Sequence, residues 1–236
     1  MRQRLALVLA GSCLLAASCS ADGEHANPTQ SGQNRTPLVA ETALPGLLLS
    51  AAQINAAVGG TELAANADAT DMTDHSASVS RPECIGIFGP GEAQAFAGSG
   101  WSAFREQPLR NPDGTQWAVQ SVVLFPTAEQ AAVFYTASST NWRKCQGSFI
   151  NISDGGREVW DVGPISEING VLSVAKTMHP EQYGTPSPSD NRASTSQRVL
   201  TVRDNVVIDV DASTSPANQS TAVHIVEQIA ARIPKA

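Results

Sequence analysis

"QRVLTVRDNVVIDVDA", residues 197–212, decides the fold: two strand-like runs, "QRVLTVRD" and "NVVIDVDA", meet at the tight turn Asp204-Asn205. So short a link joins antiparallel neighbours. The pattern recurs upstream. "GWSAFREQPLR" and "GTQWAVQSVVLF" flank Asn111-Pro112-Asp113-Gly114, with Pro and Gly where a turn requires them. "VWDVGPISEI" and "VLSVAKTMH" flank Asn169-Gly170, a hairpin signal. "GSFINIS" adds a short strand. About six or seven strands, mostly antiparallel, are expected.

Three helices punctuate these strands. In "LPGLLLSAAQINAAVGG", residues 44–60, Ser50 and Gln53 stand at capping-box spacing, Leu49 is placed to staple onto Ile54, and Gly59-Gly60 closes the helix. Ile54, Ala57 and Val58 share a face. In "FPTAEQAAVFYTASSTNWRKC", residues 125–145, Thr127 and Gln130 repeat the spacing, and Phe134 and the neighbouring alanines face inward. In "SPANQSTAVHIVEQIAARIP", residues 215–234, Ser215 is the expected cap and Pro216 suits the first turn. Ala222, Val226, Ile229 and Ile233 form one stripe, with His224 off it. Helices at both ends and in the middle of antiparallel strands make the fold class α+β: a single domain over 45–236, a twisted, mainly antiparallel sheet with flanking helices and a cleft. Residues 61–83 read as loop, with His75 solvated among acids. Residues 179–196, rich in Pro and Ser, read as disorder or a flap.

The start of the chain has a different character. Arg2 and Arg4 precede an apolar run, Leu5 to Ser18, of about 14 residues, too short for the ~20 that span a bilayer. A positive head, a short apolar run and small residues at its end predict a signal peptide over 1–18. Ala16-Ala17-Ser18-Cys19 resembles a lipobox, which makes Cys19 the expected lipidation site. Ordinary secretion, with Cys19 inside a discarded leader, is the alternative. Residues 19–44, rich in Ser, Asn, Gln, Gly and Pro, read as a lipidated flexible tether. The expected location is the outer face of the cell membrane, held by lipid.

Without residues 1–18 the chain keeps 13 basic and 22 acidic residues, a net charge of −9. That excludes a basic stripe for nucleic acid and a polybasic membrane surface. Cys84 and Cys145 remain as thiols of an exported chain, where a disulfide is expected. A redox or nucleophilic thiol is the weaker alternative, since no CxxC occurs. A bond between them closes a loop whose chain-entropy stabilisation is about 4 kcal/mol.

Motifs for chemistry are missing. The sequence contains no GxSxG, HExxH or GxxxxGK[ST]. Gly98-Ser99-Gly100 reads as a turn. The histidines at 25, 75, 179 and 224 lack ligand spacing, and Asp68, Asp71 and Asp74 lack the glycine and glutamate of a calcium loop. No metal and no cofactor is expected, and binding is favoured over catalysis.

Four stretches in order, "LLLSAAQINAAVGG", "ECIGIFGPGEAQAFAGSGWSAFREQ", "VQSVVLFPTAEQAAVFYTASSTNWRKCQG" and "QRVLTVRDNVVIDVDA", resemble the PknH-like extracellular sensor domain of mycobacteria. That family holds the outer domain of a receptor serine/threonine kinase and free-standing lipoproteins. The resemblance runs from Leu47 to Ile233. It implies an α+β domain with a large cleft for an unidentified ligand, and pairing of Cys84 with Cys145. The family often has a second disulfide joining its last two strands. The matching places here are near Ser196 and Ser213, so the Arg198–Asp211 hairpin is expected to be looser and to move on binding. With neither a kinase domain nor a transmembrane helix read in the sequence, a binding role is expected, not signalling in cis. The expected partner is a small-molecule or envelope-polymer ligand, with a membrane protein as a further option. Trp101, Trp117, Trp142 and Trp160 are the candidates for a cleft wall, each with core packing as its alternative. Arg198 and Asn205 are candidates for a polar end, or for orienting a turn. An envelope hydrolase and a docking module are the competing functions.

Overall fold

The computed structural model describes residues 38–59, 62–153, 156–181, 194–213 and 220–234. The leader, Cys19 and residues 182–193 lie outside them. Among the described residues the strands are β1 Ala64–Ala65, β2 Ala103–Arg110, β3 Trp117–Leu124, β4 Gly147–Ser153, β5 Gly156–Val162, β6 Ser166–Ile168, β7 Val171–Glu181, β8 Ser194–Arg203 and β9 Val206–Ser213. The helices are α1 Leu44–Leu47, α2 Ala51–Val58, α3 Ile85–Phe88, α4 Ala93–Phe96, α5 Ala128–Arg143 and α6 Thr221–Ala231. Every ladder is antiparallel, and the sheet order is β1-β2-β3-β9-β8-β7-β5-β4, with β6 on β7. The α+β fold with flanking helices is as the strand and helix patterns require. The strands number nine rather than six or seven, because β1 and β6 are too short to show a period.

The turns form where their residue types demand. Asn169 and Gly170 both take positive φ, 52° and 75°, as does Asp204 at 53°. Ser50 accepts from the Gln53 amide while the Gln53 side chain accepts from the Ser50 amide, a complete capping box. Thr127 accepts from the Gln130 amide at the start of α5. Helix α6 starts later than expected. Its N-cap is Ser220, not Ser215, and residues 214–219 lie outside the described residues.

Each face of the sheet is covered. One buries Val199, Ile208, Val210 and Ala212 against Leu44, Ile54, Ala222, Ile225, Val226, Ile229 and Ile233 of α1, α2 and the α6 segment. The other packs Phe104, Val123, Trp160, Leu172, Val174, Leu200 and Val207 against Ile85, Ile87, Phe96, Phe134 and Trp142 of α3, α4 and α5. Cys84 and Cys145 are bonded, tying the turn before α3 to the end of α5.

Three expectations are corrected here. The β8–β9 hairpin is not loosely held: it lies mid-sheet between β7 and β3, and β9 is buried along nearly its whole length. Ser196 and Ser213 do stand opposite one another, but Ser213 Oγ accepts from the Trp117 amide at 2.7 Å and donates to its carbonyl. The tether ends before Leu44. Residues 41–43 form a 3-10 turn, and Val39 exchanges two hydrogen bonds with the Asn205 side chain. Residues 66–80 are not a free loop but a strap, bonded to β2 by Asn66 and Ala69 and to the stretch before α4 by Thr73 and His75.

Candidate functional site

The helix-covered aromatic face carries ionic groups that alternate with its apolar ones. Along β9, Val207, Asp209 and Asp211 point one way while Ile208 and Val210 point the other. Arg198 on β8 is paired with Asp209, and Lys176 on β7 reaches across β8 to Asp211. All four are at most 1% exposed. Such a pair persists only where further hydrogen bonds satisfy both partners. Arg198 Nη1 also donates to the Val210 carbonyl at 3.0 Å, and Nη2 to the carbonyls of Gly86 and Gly89 at 3.1 and 2.8 Å. Lys176 Nζ donates to the Phe88 carbonyl at 2.7 Å. The two cations therefore hold the α3 turn onto the sheet.

Aromatic faces complete their surroundings. Lys176 Nζ stands 4.5 Å from the Trp160 ring centroid, and the Arg198 guanidinium 5.5 Å from that of Trp142. Burial pushes the Lys176 ammonium down and the Asp211 carboxyl up, while their mutual attraction opposes both shifts.

A second set of carboxylates adjoins this network. Gly91 donates its amide to Asp209 Oδ2 at 3.4 Å. It needs positive φ, and a Cβ there would stand 2.5 Å from Phe104 Cζ and 2.8 Å from Glu106 Oε2. Glu106 on β2 is largely buried, and its Oε2 has no hydrogen-bond partner among the described residues. Burial first, then the charges of Asp209 and Glu92, push it up to about 7 against the opposing pull of Arg198. Buried Glu92 accepts from the His75 amide at 3.0 Å and contacts its Nδ1 at 2.8 Å. His75 is half-exposed yet held, not simply solvated.

The structure divides the six candidate ligand-binding residues. Trp142, Trp160 and Arg198 meet in the ionic network, with both tryptophans buried in the core. Trp101 is half-buried beside the same cluster. Trp117 lies at the start of β3, bonded through its main chain to Ser213. Asn205 is a buried structural pin, donating to the carbonyls of Val39 and Phe125. Lys176, Asp209, Asp211, Glu92 and Glu106 escaped sequence reading. The one visible signal was charge inside an apolar strand, in the "IDVDA" spacing of Asp209 and Asp211.

An open depression of about 550 Å³ lies on the outer side of α5 along Ala132, Val133, Thr136, Ala137, Thr140 and Asn141. No group of three or more His, Cys, Asp or Glu set to hold a metal ion occurs among the described residues, and no described helix is long and apolar enough to cross a membrane.

Known proteins share this architecture. The crystal structure of the extracellular domain of PknH from Mycobacterium tuberculosis superposes with a TM-score of 0.72 at 26% identity, covering 83% of this chain and 97% of that one. The serine/threonine-protein kinases PknH of Mycobacterium bovis and Mycobacterium tuberculosis are each 28% identical over 177 residues, 74% of this chain. The match spans only 28% and 27% of their lengths, so the chain corresponds to about a quarter of these relatives. The PknH-like extracellular domain family matches residues 39–232, and the chain belongs to it.

Proposed function

We propose that this chain is an exported, lipid-anchored sensor domain that binds an envelope ligand in a cleft and turns nothing over. The observation that carries the reading is the family match across residues 39–232, which makes the domain an extracellular sensor type. The net charge of −9 after the leader favours an uncharged or cationic, partly apolar ligand over a polyanion. Half-buried Met72, Phe88 and Trp101, at the margin of the aromatic face, are apolar groups within reach of such a ligand. The charged pairs beneath them are engaged with one another, which supports binding over catalysis. Lipid at Cys19 supplies the membrane attachment.

Native mass spectrometry of the domain after incubation with fractionated envelope extract tests this. A retained adduct lost in Trp101→Ala is expected, and absence of any adduct across all fractions overturns it. For the anchor, Cys19→Ala should move the protein from the detergent phase to the aqueous phase. One observation favours a hydrolase instead: Glu106, near neutral and beside Asp209, has the properties of a general acid. Product release from extract that stops in Glu106→Gln would establish that reading.

A further inference from the structure

We propose that the strap of residues 66–80 is an acid-locked cover over the carboxylate cluster of Glu106, Glu92 and Asp209, closing as pH falls and loosening as it rises. The inference rests on contacts within the domain and is independent of which ligand it binds.

The strap is fastened at few points. Asn66 donates to the Pro108 carbonyl at 2.9 Å, Ala69 exchanges main-chain bonds with Glu106 at 2.8 and 3.0 Å, and the Asp68 carboxylate accepts from Gln107 Nε2 at 2.8 Å. The chain then leaves β2 and crosses to the stretch before α4. There Thr73 accepts from the Ala93 amide at 2.7 Å, and His75 meets Glu92 through its amide and Nδ1. Between Leu63 and Val79 none of its side chains is fully buried. Such a segment opens at low cost compared with the strands below it.

The two anchor residues of the strap are thus both acidic, and both sit beside a third carboxylate. Glu106 is faced by Asp209 and Arg198 from β9 and β8, and by Glu92 from the stretch before α4. The facing cation is already committed, since Arg198 serves Asp209 and the carbonyls of Gly86, Gly89 and Val210. His75 faces Glu92 and the Phe88 ring, with Asp74 as its chain neighbour.

A proton on Glu106 removes the repulsion among three carboxylates and lets its unpartnered oxygen lie buried without charge. Loss of the Glu106 proton places charge on a carboxylate whose buried Oε2 has no hydrogen-bond partner among the described residues. Releasing the strap admits water to it, whereas β8 and β9, each paired on both edges, stay in place.

Hydrogen exchange of the full chain, corrected for intrinsic rates, reads the strap directly. Opening coupled to a carboxyl that moves from about 7 when closed to about 4.5 when open should lower strap protection roughly tenfold or more between pH 5.5 and 7.5. Protection of β8 and β9 should not change. Glu106→Gln should hold the strap closed at both values. Equal protection of the wild-type strap at both pH values overturns the proposal, as does pH dependence that survives in Glu106→Gln. Should that variant not fold, carboxyl-labelled NMR titration of the wild type decides: a Glu106 midpoint near the ordinary glutamate value overturns it.

Discussion

Beneath α1, α2 and α6 the sheet presents Val199, Ile208, Val210 and Ala212 to Ile54, Ile225 and Ile229. On its other side the same strands, with β7, present Lys176, Arg198, Asp209 and Asp211 to the α3 turn. The aliphatic side is held by non-directional packing, which tolerates rearrangement if volume is kept. The ionic side is directional. A one-residue slip of β9 would send Asp209 and Asp211 into the aliphatic core and strand Arg198 and Lys176. The ion pairs therefore specify register more than they add stability, and the aliphatic side supplies the stability.

Unequal responses to truncation are the first way to break that contrast. Asp209→Ala leaves a buried, unpaired guanidinium and should cost about 4 kcal/mol in urea unfolding. The double variant Arg198→Met, Asp209→Leu should recover most of that loss. If the double is as unstable as the single, the pair is a stability element and the contrast fails. On the aliphatic side, Ile229→Ala, at a fully buried site, should cost about 3 kcal/mol, with no partner change able to rescue it.

A pH series sharpens the comparison because only the ionic side holds a buried carboxyl near neutrality. Glu106 is raised in the folded state to about 7, so its stabilisation is fully present below about pH 4.5 and is lost as pH rises through 7. Relative to Glu106→Gln, the wild type should lose about 2 kcal/mol between pH 5 and pH 8. Parallel curves for the two proteins would move the pH sensitivity elsewhere. The smallest effect belongs to the aliphatic side: Ser50→Ala removes the α2 cap and should cost about 1 kcal/mol at any pH.

What the sequence disclosed was local. Asn169-Gly170 and Asp204-Asn205 name their own turns, Ser50 and Gln53 their own cap, and the α6 stripe its own buried face. Export logic paired Cys84 with Cys145. The ionic network was illegible for a physical reason. Arg198, Asp209 and Asp211 alternate with apolar residues, as they would on a solvent-facing side, and only the cover of α3, α4 and α5 makes that side an interior. The family's missing second staple suggested a weak final hairpin. Sheet position outweighs that loss, because β8 and β9 are paired on both edges. Strap and tether end were missed because main-chain bonds to Glu106, Ala93 and Asn205 leave no trace in residue type.

Asn205 gives the domain a mechanical character. Its side chain grips Val39 through two hydrogen bonds and Phe125 through a third, at the turn between β8 and β9. A pull on Val39 is therefore delivered to the middle of the sheet rather than to an outer strand that would peel away. An edge strand unzips one bond at a time. A pull at Asn205 must first break its clustered bonds, and beyond them it loads β8 and β9, each flanked on both sides. The entry point of the chain is thus pinned at the turn of the hairpin that carries Arg198, Asp209 and Asp211, and the hairpin is loaded only after those bonds give way.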